Sequence, residues 1–268
     1  MRYAGTDFLD KHCDLKIFEY DDVYVCTTFK IGTRVFSSTS INESAYDLIS
    51  DDTNLLFDKL NKNKKVYIVI KNPANRFLSG ATQLTFEGAT HYTAAYSLAR
   101  WGSESYFFTN IWPKFIKDGI SNPIQLYNND FNTCEFIDFD DNLDTWKIWL
   151  DIIHFNITVG DTHLSEYHKY CYNNFYKLIH HTHDVEIIED TKFKNFETFK
   201  NITNNDLPTR THENSRWTEY LKEHFLMDID ITSPRVSLNP KLISEKVVMV
   251  EDYITEEFRY YNKLKALI

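Results

Sequence analysis

Few cysteines occur in the sequence, and their spacing is irregular. The chain of 268 residues contains four of them, Cys13, Cys26, Cys134 and Cys171, and no C-x-x-C pair. Scattered cysteines of this kind argue against a disulfide framework and are typical of reduced thiols in an intracellular protein.

The sequence also lacks a long hydrophobic run. The longest aliphatic stretches lie near Ile68 and Val248 and fall far short of the ~20 apolar residues that cross a bilayer. The opening residues, MRYAGTDFLD, contain no apolar core of the kind that signal peptides carry. We therefore expect a soluble, cytoplasmic protein without a membrane partner.

Basic residues are in the minority. Lys and Arg together number 29 against 39 for Asp and Glu, which gives a formal net charge of −10. Because an acidic surface repels nucleic acids and anionic membranes, we expect no nucleic-acid partner. An anionic ligand would need a local positive pocket, and two stretches of the chain are candidates for one.

The more informative stretch is residues 65–84, KVYIVIKNPANRFLSGATQL. Its β-branched and aromatic run, VYIVI, predicts a strand buried on both faces inside a parallel sheet. Pro73 suits the first turn of a helix, so the pattern predicts a strand, a tight turn and a helix. Lys71 then lies at the strand tip, with Arg76 and Ser79 on one face of the helix, and such groups can hold an anion.

A second strand, turn and helix is predicted earlier in the chain. Residues 23–29 read as a strand, residues 30–34, KIGTR, form a turn, and a helix follows. Gly32 lets the backbone approach a ligand, and the free N–H groups at the helix start point toward an anion. The succession of elements up to the next strand predicts a right-handed crossover and a parallel strand pair. The turn is not a Walker A motif, because Lys30 precedes Gly32.

Both turns resemble one protein family. Residues 69–79, VIKNPANRFLS, resemble the 3′-phosphate-binding motif R-[DNE]-P-x-x-R-x-x-S of sulfotransferases that use 3′-phosphoadenosine 5′-phosphosulfate (PAPS). KIGTR resembles their 5′-phosphosulfate loop, K-x-G-T-[TSR]. Thr82-Gln83 is similar to the glycan-directed branch, which includes the heparan sulfate glucosaminyl 3-O-sulfotransferases. The chain departs from the pattern at Lys71, where the family has Arg, so a point charge replaces a fork that binds two oxygens at once.

The resemblance assigns roles to the residues of the two turns. Lys71 and Ser79, together with Arg76, would hold the 3′-phosphate of the cofactor. Lys30 would contact the bridge between sulfate and phosphate and neutralise charge on the leaving group. The residues that would cradle the 5′-phosphate are Ile31, Gly32, Thr33 and Arg34.

Further site residues follow from the same resemblance. The catalytic base of the family is a Glu or a His, and Glu43 is the predicted base because it is the only Glu between the two turns. His91 is the other candidate for that role. Asp161-Thr162-His163 resembles the D-x-H element of the family, in which His163 would position the acceptor or assist proton transfer; a structural, hydrogen-bonded His is the alternative. The residues that would close over the nucleotide are Arg210, Ser215 and Arg216.

The rest of the chain gives coarser predictions. Residues 43–52 read as an acidic connector, and residues 184–190 read as a late strand of the sheet. Residues 144–155 predict a helix whose apolar face lies in the core. Residues 246–250 read as a further strand between two helices.

Together these patterns predict an α/β fold, with a P-loop-like parallel β-sheet flanked by helices in three layers, α/β/α. We expect a single domain, residues 1–268, with a lead-in at 1–22 and a loop and helices at 201–268 that close the cleft. The implied reaction transfers a sulfuryl group from PAPS to a hydroxyl or amine acceptor, by analogy a glycan, and yields adenosine 3′,5′-bisphosphate (PAP) without a metal. Two alternatives remain, a P-loop kinase-like nucleotide-binding enzyme and a non-catalytic binding or structural protein on a degenerate sulfotransferase fold. No pattern in the sequence predicts the oligomeric state.

Overall fold

A computed structural model describes residues 12–84, 91–116, 137–208, 216–230, 235–242 and 245–268 of the chain. These residues form two compact units, each assembled from separate parts of the sequence. The sheet unit comprises the described parts of His12–Arg76, Ser165–Thr211 and Glu256–Ile268, and the helical unit comprises those of Phe77–Leu164 and His212–Thr255. The single domain expected from the sequence stays a prediction.

The sheet unit contains a five-stranded sheet. Its strands are Asp14–Glu19 (β1), Val23–Thr27 (β2), Asn42–Asp47 (β3), Lys65–Ile70 (β4) and Val185–Glu189 (β5). They lie in the order β3-β1-β2-β4-β5; β2, β4 and β5 run parallel, and β1 is antiparallel to both of its neighbours. The predicted α/β class and the parallel pairing of β2 with β4 are confirmed. The sheet is nevertheless mixed rather than wholly parallel, because β1 and β3 join it in the antiparallel sense.

Burial follows the position of each strand in the sheet. β4 lies between β2 and β5, and its side chains Val66, Ile68, Val69 and Ile70 are all inaccessible to solvent. The expectation of a strand buried on both faces is therefore confirmed. β3 lies at the edge of the sheet, and its first four residues are exposed. The prediction of a connector is wrong for residues 43–47, because an edge strand that is exposed along most of its length carries no apolar alternation.

The α-helices of the described residues are, in chain order, Thr33–Ser37 (α1), Thr53–Lys59 (α2), Pro73–Thr82 (α3), His91–Trp101 (α4), Leu143–Val159 (α5), Tyr167–Tyr170 (α6), Lys177–Ile179 (α7), Asp190–Phe193 (α8), Phe196–Thr203 (α9), Arg216–Phe225 (α10) and Glu245–Lys265 (α11). Shorter 3-10 and π-helical segments are Phe107–Ile111, Trp112–Phe115, Asp140–Asn142, Thr162–Leu164 and Cys171–Tyr176. In the helical unit, Leu226–Asp230 (β6) and Arg235–Leu238 (β7) pair antiparallel.

Helix α3 begins at Pro73, as the sequence predicts. The side-chain oxygen of Asn72 accepts hydrogen bonds from the backbone N–H groups of Ala74 at 3.1 Å and Asn75 at 3.2 Å, and so caps the first turn. Proline, which has no backbone N–H, loses no hydrogen bond at this position, because the first N–H groups of a helix have no partner within the helix. Local chemistry therefore fixes the turn that follows β4.

Helix α11 corrects one of the predicted strands. Residues 246–250, expected as a strand, lie within this helix, so that prediction is wrong. A short apolar run does not by itself distinguish a strand from a helix. Val248 and Met249 are 56% and 52% exposed whereas Val250 is buried, which is the pattern of a helix that buries one face. Neither α11 nor any other described helix has the length and apolar character needed to cross a membrane.

Aromatic rings fill the core of the helical unit. Trp146 and Trp149 of α5 are fully buried, which confirms the predicted core face of this helix. The ring centroid of Trp149 lies 4.6 Å from that of Phe225, and that of Trp146 lies 5.0 Å from that of Phe115. Both contacts are edge-to-face, the geometry that aromatic pairs prefer in cores.

Candidate anion-binding site

The turn after β2 holds a backbone conformation that few residues adopt. Lys30 and Gly32 both have positive φ angles, 69° and 89°. Glycine populates this left-handed region freely, whereas a lysine adopts it only rarely. Ile31 between them is fully buried, so its side chain anchors the turn and only its backbone is available to a ligand.

The turn after β4 contacts the turn after β2 directly. The ammonium group of Lys71 donates a hydrogen bond to the backbone carbonyl oxygen of Lys30 at 3.0 Å. Because β2 and β4 are adjacent and parallel, their carboxyl ends lie at the same edge of the sheet. Two turns that lie far apart in the sequence therefore meet at one place.

A third element reaches the same edge, namely the predicted late strand, β5, to which the sequence assigned no site residue. β5 pairs with β4 in parallel up to the last residue of each strand, so the residues that follow them, Asp190 and Lys71, start at the same level. The ammonium of Lys194 lies 3.0 Å from the carboxylate of Asp190. A Cβ atom added to Gly32 would lie 3.1 Å from Cε of Lys194. The Lys194 side chain therefore passes closely over the turn after β2.

Phenylalanine rings fix the positions of α1 and α8. The ring centroid of Phe36 in α1 lies 5.4 Å from that of Phe18 in β1 and 5.2 Å from that of Phe193 in α8. All three side chains are almost fully buried. Since Gly32 precedes α1 and Lys194 follows α8, this packing brings Lys194 to Gly32. The sequence predicted the strand itself, residues 184–190, but not its pairing with β4, which places the residues after β5 beside those after β4.

The electrostatic surroundings of Lys71 are mainly positive. Burial lowers the pKa of Lys71 to about 8. The nearby carboxylate of Asp190 opposes this change in pKa. Three cations add to it, namely Lys194, Lys30 and Arg76. An ammonium group with such neighbours is stabilised by any anion that comes close. Lys71, Lys194 and Lys30 thus lie near the single carboxylate of Asp190, on a chain with a formal net charge of −10.

Arg76, from the same motif as Lys71, is bonded to the protein interior. Its side chain is 2% exposed, and the guanidinium donates hydrogen bonds to the backbone carbonyl of Ser165 at 2.7 Å and to the Ser165 hydroxyl at 3.1 Å. A carboxylate oxygen of Glu257 lies 3.7 Å from the guanidinium. The predicted contact of Arg76 with a phosphate stays a prediction, but these hydrogen bonds serve the protein itself.

His168 completes this buried network. Its Nδ1 lies 2.7 Å from the Glu257 carboxylate, which also accepts a hydrogen bond from the backbone N–H of Lys169 at 3.2 Å. Burial alone would raise the pKa of Glu257, but His168 and Arg76 outweigh it, and the pKa lies below its ordinary value. The carboxylate is therefore kept ionised, and the charges of this network balance one another inside the protein.

The predicted base Glu43 lies on the edge strand β3. Its carboxylate accepts a hydrogen bond from the Ser37 hydroxyl at 2.8 Å and forms an ion pair with Lys16 at 3.3 Å. β1 separates β3 from β2, so Glu43 lies two strands away from the strand that precedes Lys30. The carboxylate is thus engaged by neighbouring side chains at the outer edge of the sheet.

The predicted D-x-H element forms a hydrogen-bonded pair in the helical unit. Oδ1 of Asp161 lies 2.8 Å from Nδ1 of His163 and accepts a hydrogen bond from the His163 backbone N–H, also at 2.8 Å. Asp161 is 1% exposed. A buried carboxylate in this position orients the ring.

Gly80 of α3 makes the position of this element possible. A Cβ atom at residue 80 would lie 2.5 Å from the backbone carbonyl oxygen of His163. Helix α3 therefore packs closely against the turn that carries His163 only because residue 80 has no side chain.

The remaining predicted residues are placed in less detail. Thr33 and Arg34 are the first two residues of α1, and Ser79 is a partly exposed residue of α3 that belongs to the helical unit. Arg216 and His91 are the first residues of α10 and α4. Outside the described structure lie Arg210, Ser215 and the side chains of Arg34, His91 and Arg216.

No family model, curated protein or solved structure matches the chain. Within the described parts of the chain, no group of three or more His, Cys, Asp and Glu side chains is arranged to hold a metal ion. A functional interpretation therefore rests on the two motifs and on the geometry that brings their turns together.

Proposed function

We propose that this protein is a PAPS-dependent sulfotransferase. The observation that carries the proposal is the hydrogen bond from Lys71 to the carbonyl of Lys30, because it joins the two turns that resemble the two phosphate sites of that family. The parallel part of the sheet, β2, β4 and β5, carries both turns and is compatible with a P-loop-like, three-layer sulfotransferase fold. The resemblance of Thr82-Gln83 to the glycan-directed branch favours a glycan as acceptor.

The proposed reaction needs positive charge and alignment more than reactive side chains. The acceptor oxygen or nitrogen attacks sulfur, the bond from sulfur to the bridging oxygen breaks, and negative charge develops on the 5′-phosphate of the departing PAP. Lys30 neutralises that charge, and Lys71 holds the 3′-phosphate. The ammonium groups supply the electrostatic stabilisation, so the proposal includes no metal ion.

We propose His163 as the group that takes the proton of the acceptor, because the resemblance to the D-x-H element gives it that role. Within the helical unit, the 2.8 Å contact with Asp161 orients the imidazole ring of His163. Glu43 is a weaker candidate, because Ser37 and Lys16 already engage its carboxylate. A general base typically contributes ~10²–10⁴-fold to a rate, so His163→Ala should lower kcat by about that factor. Glu43→Gln is the matched comparison and should leave kcat almost unchanged.

Binding of PAP is the first test of the proposal. Calorimetric titration with PAP should give a measurable Kd, and PAP should raise Tm, because a ligand that binds only the folded protein stabilises it. ATP with magnesium should bind more weakly. A preference for ATP with magnesium would indicate the kinase-like alternative, and failure of PAP to bind at millimolar concentration would refute the proposal.

Transfer of sulfate is the second test. The protein is incubated with PAPS and a glycan that carries free hydroxyl and amino groups, and the release of PAP is followed together with the mass of the glycan. We expect an increase in glycan mass by one sulfate for each PAP released. PAP release without a sulfated product would mean hydrolysis rather than transfer.

A second candidate function is supported by two observations. Lys71 stands where the family has Arg, and the only Glu between the two turns is engaged by protein side chains. Both are compatible with a non-catalytic protein that binds PAP on a degenerate sulfotransferase fold. This candidate predicts that PAP binds normally, that no acceptor is sulfated, and that His163→Ala changes nothing measurable.

A further inference from the structure

Three observations place the side chain of Lys194 beside the turn after β2. Its Cε lies 3.1 Å from the position that a Cβ would take on Gly32. Its ammonium lies 3.0 Å from the Asp190 carboxylate. The preceding residue, Phe193, is fully buried against Phe36 of α1. A lysine on an exposed surface normally samples many rotamers, but this one is directed over the turn after β2.

Asp190 serves two ammonium groups rather than one. It is 6% exposed, forms the ion pair with Lys194 and is the carboxylate that counteracts the pKa change of Lys71. Lys194 itself is 39% exposed, so its ammonium remains accessible to a ligand. Asp190 carries one negative charge, whereas Lys71 and Lys194 together carry two positive charges. One positive charge near Gly32 is therefore not balanced by Asp190.

We infer that Lys194 is a third cationic side chain of the site and that it contacts the phosphate bound at the Gly32 turn. In the proposed sulfotransferase, on which this inference rests, that phosphate is the 5′-phosphate of the nucleotide, whereas Lys71 serves the 3′-phosphate. Neither KIGTR nor KNPANRFLS contains a counterpart of Lys194, which enters the site from the segment after β5. The competing interpretation is an ordinary surface ion pair of Lys194 with Asp190, which would have no effect on ligands.

Three adenine nucleotides distinguish these interpretations. Kd is measured by calorimetry for PAP, for adenosine 5′-monophosphate and for adenosine 3′-monophosphate, with inorganic pyrophosphate as a fourth probe that lacks the nucleoside. Lys194→Gln removes the charge, Lys194→Arg retains it, and Lys192→Gln is the matched control on the exposed surface of α8. We expect Lys194→Gln to weaken PAP, the 5′-monophosphate and pyrophosphate about tenfold, as for loss of one charge-assisted contact, and to leave the 3′-monophosphate unchanged. Lys194→Arg should retain most of the affinity, and Lys192→Gln should have no effect.

The outcomes separate this inference from the proposed function. If Lys194→Gln binds PAP as tightly as the unmodified protein, or weakens all three nucleotides equally, Lys194 does not contact the 5′-phosphate and the inference is wrong while the sulfotransferase proposal stands. If no nucleotide binds but pyrophosphate binds and depends on Lys194, the proposed function is wrong and Lys194 remains a phosphate ligand. If none of the four probes binds, both are wrong.

Discussion

The sheet unit contains two groups of charged side chains that differ in how their charge is balanced. In the first, Arg76, Glu257 and His168 are buried, and each bonds to a partner inside the protein. In the second, Lys71 and Lys194 lie at the edge of the sheet, with a backbone carbonyl and a single carboxylate as their protein partners. In the first group the opposite charges lie side by side inside the protein, whereas the second gains stabilisation from an anion.

The two cations of one motif differ in their surroundings. Lys71 and Arg76 both belong to the segment that resembles a phosphate-binding motif. Five positions further along the chain, on the first turns of α3, Arg76 faces Ser165 and the protein interior, while Lys71 remains at the strand tip. The sequence resemblance identifies the segment, and the structure adds that Arg76 bonds to Ser165 whereas Lys71 bonds to the backbone of the neighbouring turn.

Loss of the buried pair should have the largest effect on stability. Arg76→Met leaves Glu257 without its guanidinium partner, and Glu257→Leu leaves Arg76 and His168 without their carboxylate. Each single variant should lower the free energy of unfolding by about 3–5 kcal/mol, measured by urea denaturation, because a buried charge is left uncompensated. The double variant should lose less than the sum of the two, since no unpaired charge of that pair remains. Losses below about 1 kcal/mol for both single variants would contradict a structural role.

The sequence alone predicts the central part of this fold well, and for a physical reason. β2, β4 and β5 are adjacent, and β2 and β4 are buried strands whose sequences are continuous apolar runs. Helix α3 was predictable because Asn72 and Pro73 form its first turn by local chemistry alone. β3 was not predictable, because an exposed edge strand has no apolar pattern to reveal it.

The candidate site was predictable only in part. Lys30, Gly32 and Lys71 follow from motifs, because their chemistry depends on residues that are close in sequence. Lys194 and Asp190 enter the site through the pairing of β5 with β4 and the packing of Phe193 on Phe36. Such tertiary contacts leave no local signature in the sequence.

Removal of the Lys71 charge should produce the next largest effect, on ligand binding rather than on stability. Lys71→Ala should weaken PAP by about 1.5–3 kcal/mol, or roughly ten- to a hundredfold in Kd by calorimetry, as for loss of a charge-assisted contact. Lys65→Ala is a suitable control, because Lys65 lies at the opposite end of β4 and pairs with Glu186 at 2.8 Å. Unchanged affinity in Lys71→Ala would place the 3′-phosphate elsewhere.

The Kd for PAP should also be measured for Arg76→Met, on the fraction of that variant that is folded. If the two groups of charge are functionally distinct, its Kd for PAP should stay within about twofold of the unmodified value. A loss of PAP affinity as large as that of Lys71→Ala would mean that Arg76 binds phosphate after all.

The affinity for PAP should also depend on pH, more modestly. Burial lowers the pKa of Lys71 to about 8, so the ammonium form that attracts phosphate is lost as pH rises through that value. Between pH 7.5 and 9 the affinity should fall by roughly tenfold or less. Lys71→Arg should remove this dependence, because arginine stays charged. A flat profile in the unmodified protein would show that the Lys71 charge does not act on PAP.

The stability of the unliganded protein should respond to the same group in the opposite direction. The folded pKa of Lys71 is lowered to about 8 from 10.5, so in that interval the unfolded chain binds more protons. The unfavourable burial of the ammonium is fully present below pH 8 and is relieved as pH rises toward 10.5. Lys71→Ala lacks this unfavourable burial. Its free energy of unfolding minus that of the unmodified protein should therefore be largest at neutral pH and should decrease as pH rises toward 10.5.

Loss of the ion pair between Glu43 and Lys16 should have the smallest effect on stability. This pair is partly exposed, unlike the buried group that contains Arg76. It lies at 3.3 Å on the edge of the sheet, with the Glu43 side chain 35% exposed. Glu43→Gln should change the free energy of unfolding by less than about 1 kcal/mol, because solvent screens an exposed pair. The Kd of Glu43→Gln for PAP should be unchanged. Lys194→Gln, which should lose affinity for PAP, serves as the comparison. A large loss of sulfate transfer at unchanged PAP affinity would reverse our assignment and make Glu43, rather than His163, the group that accepts the proton.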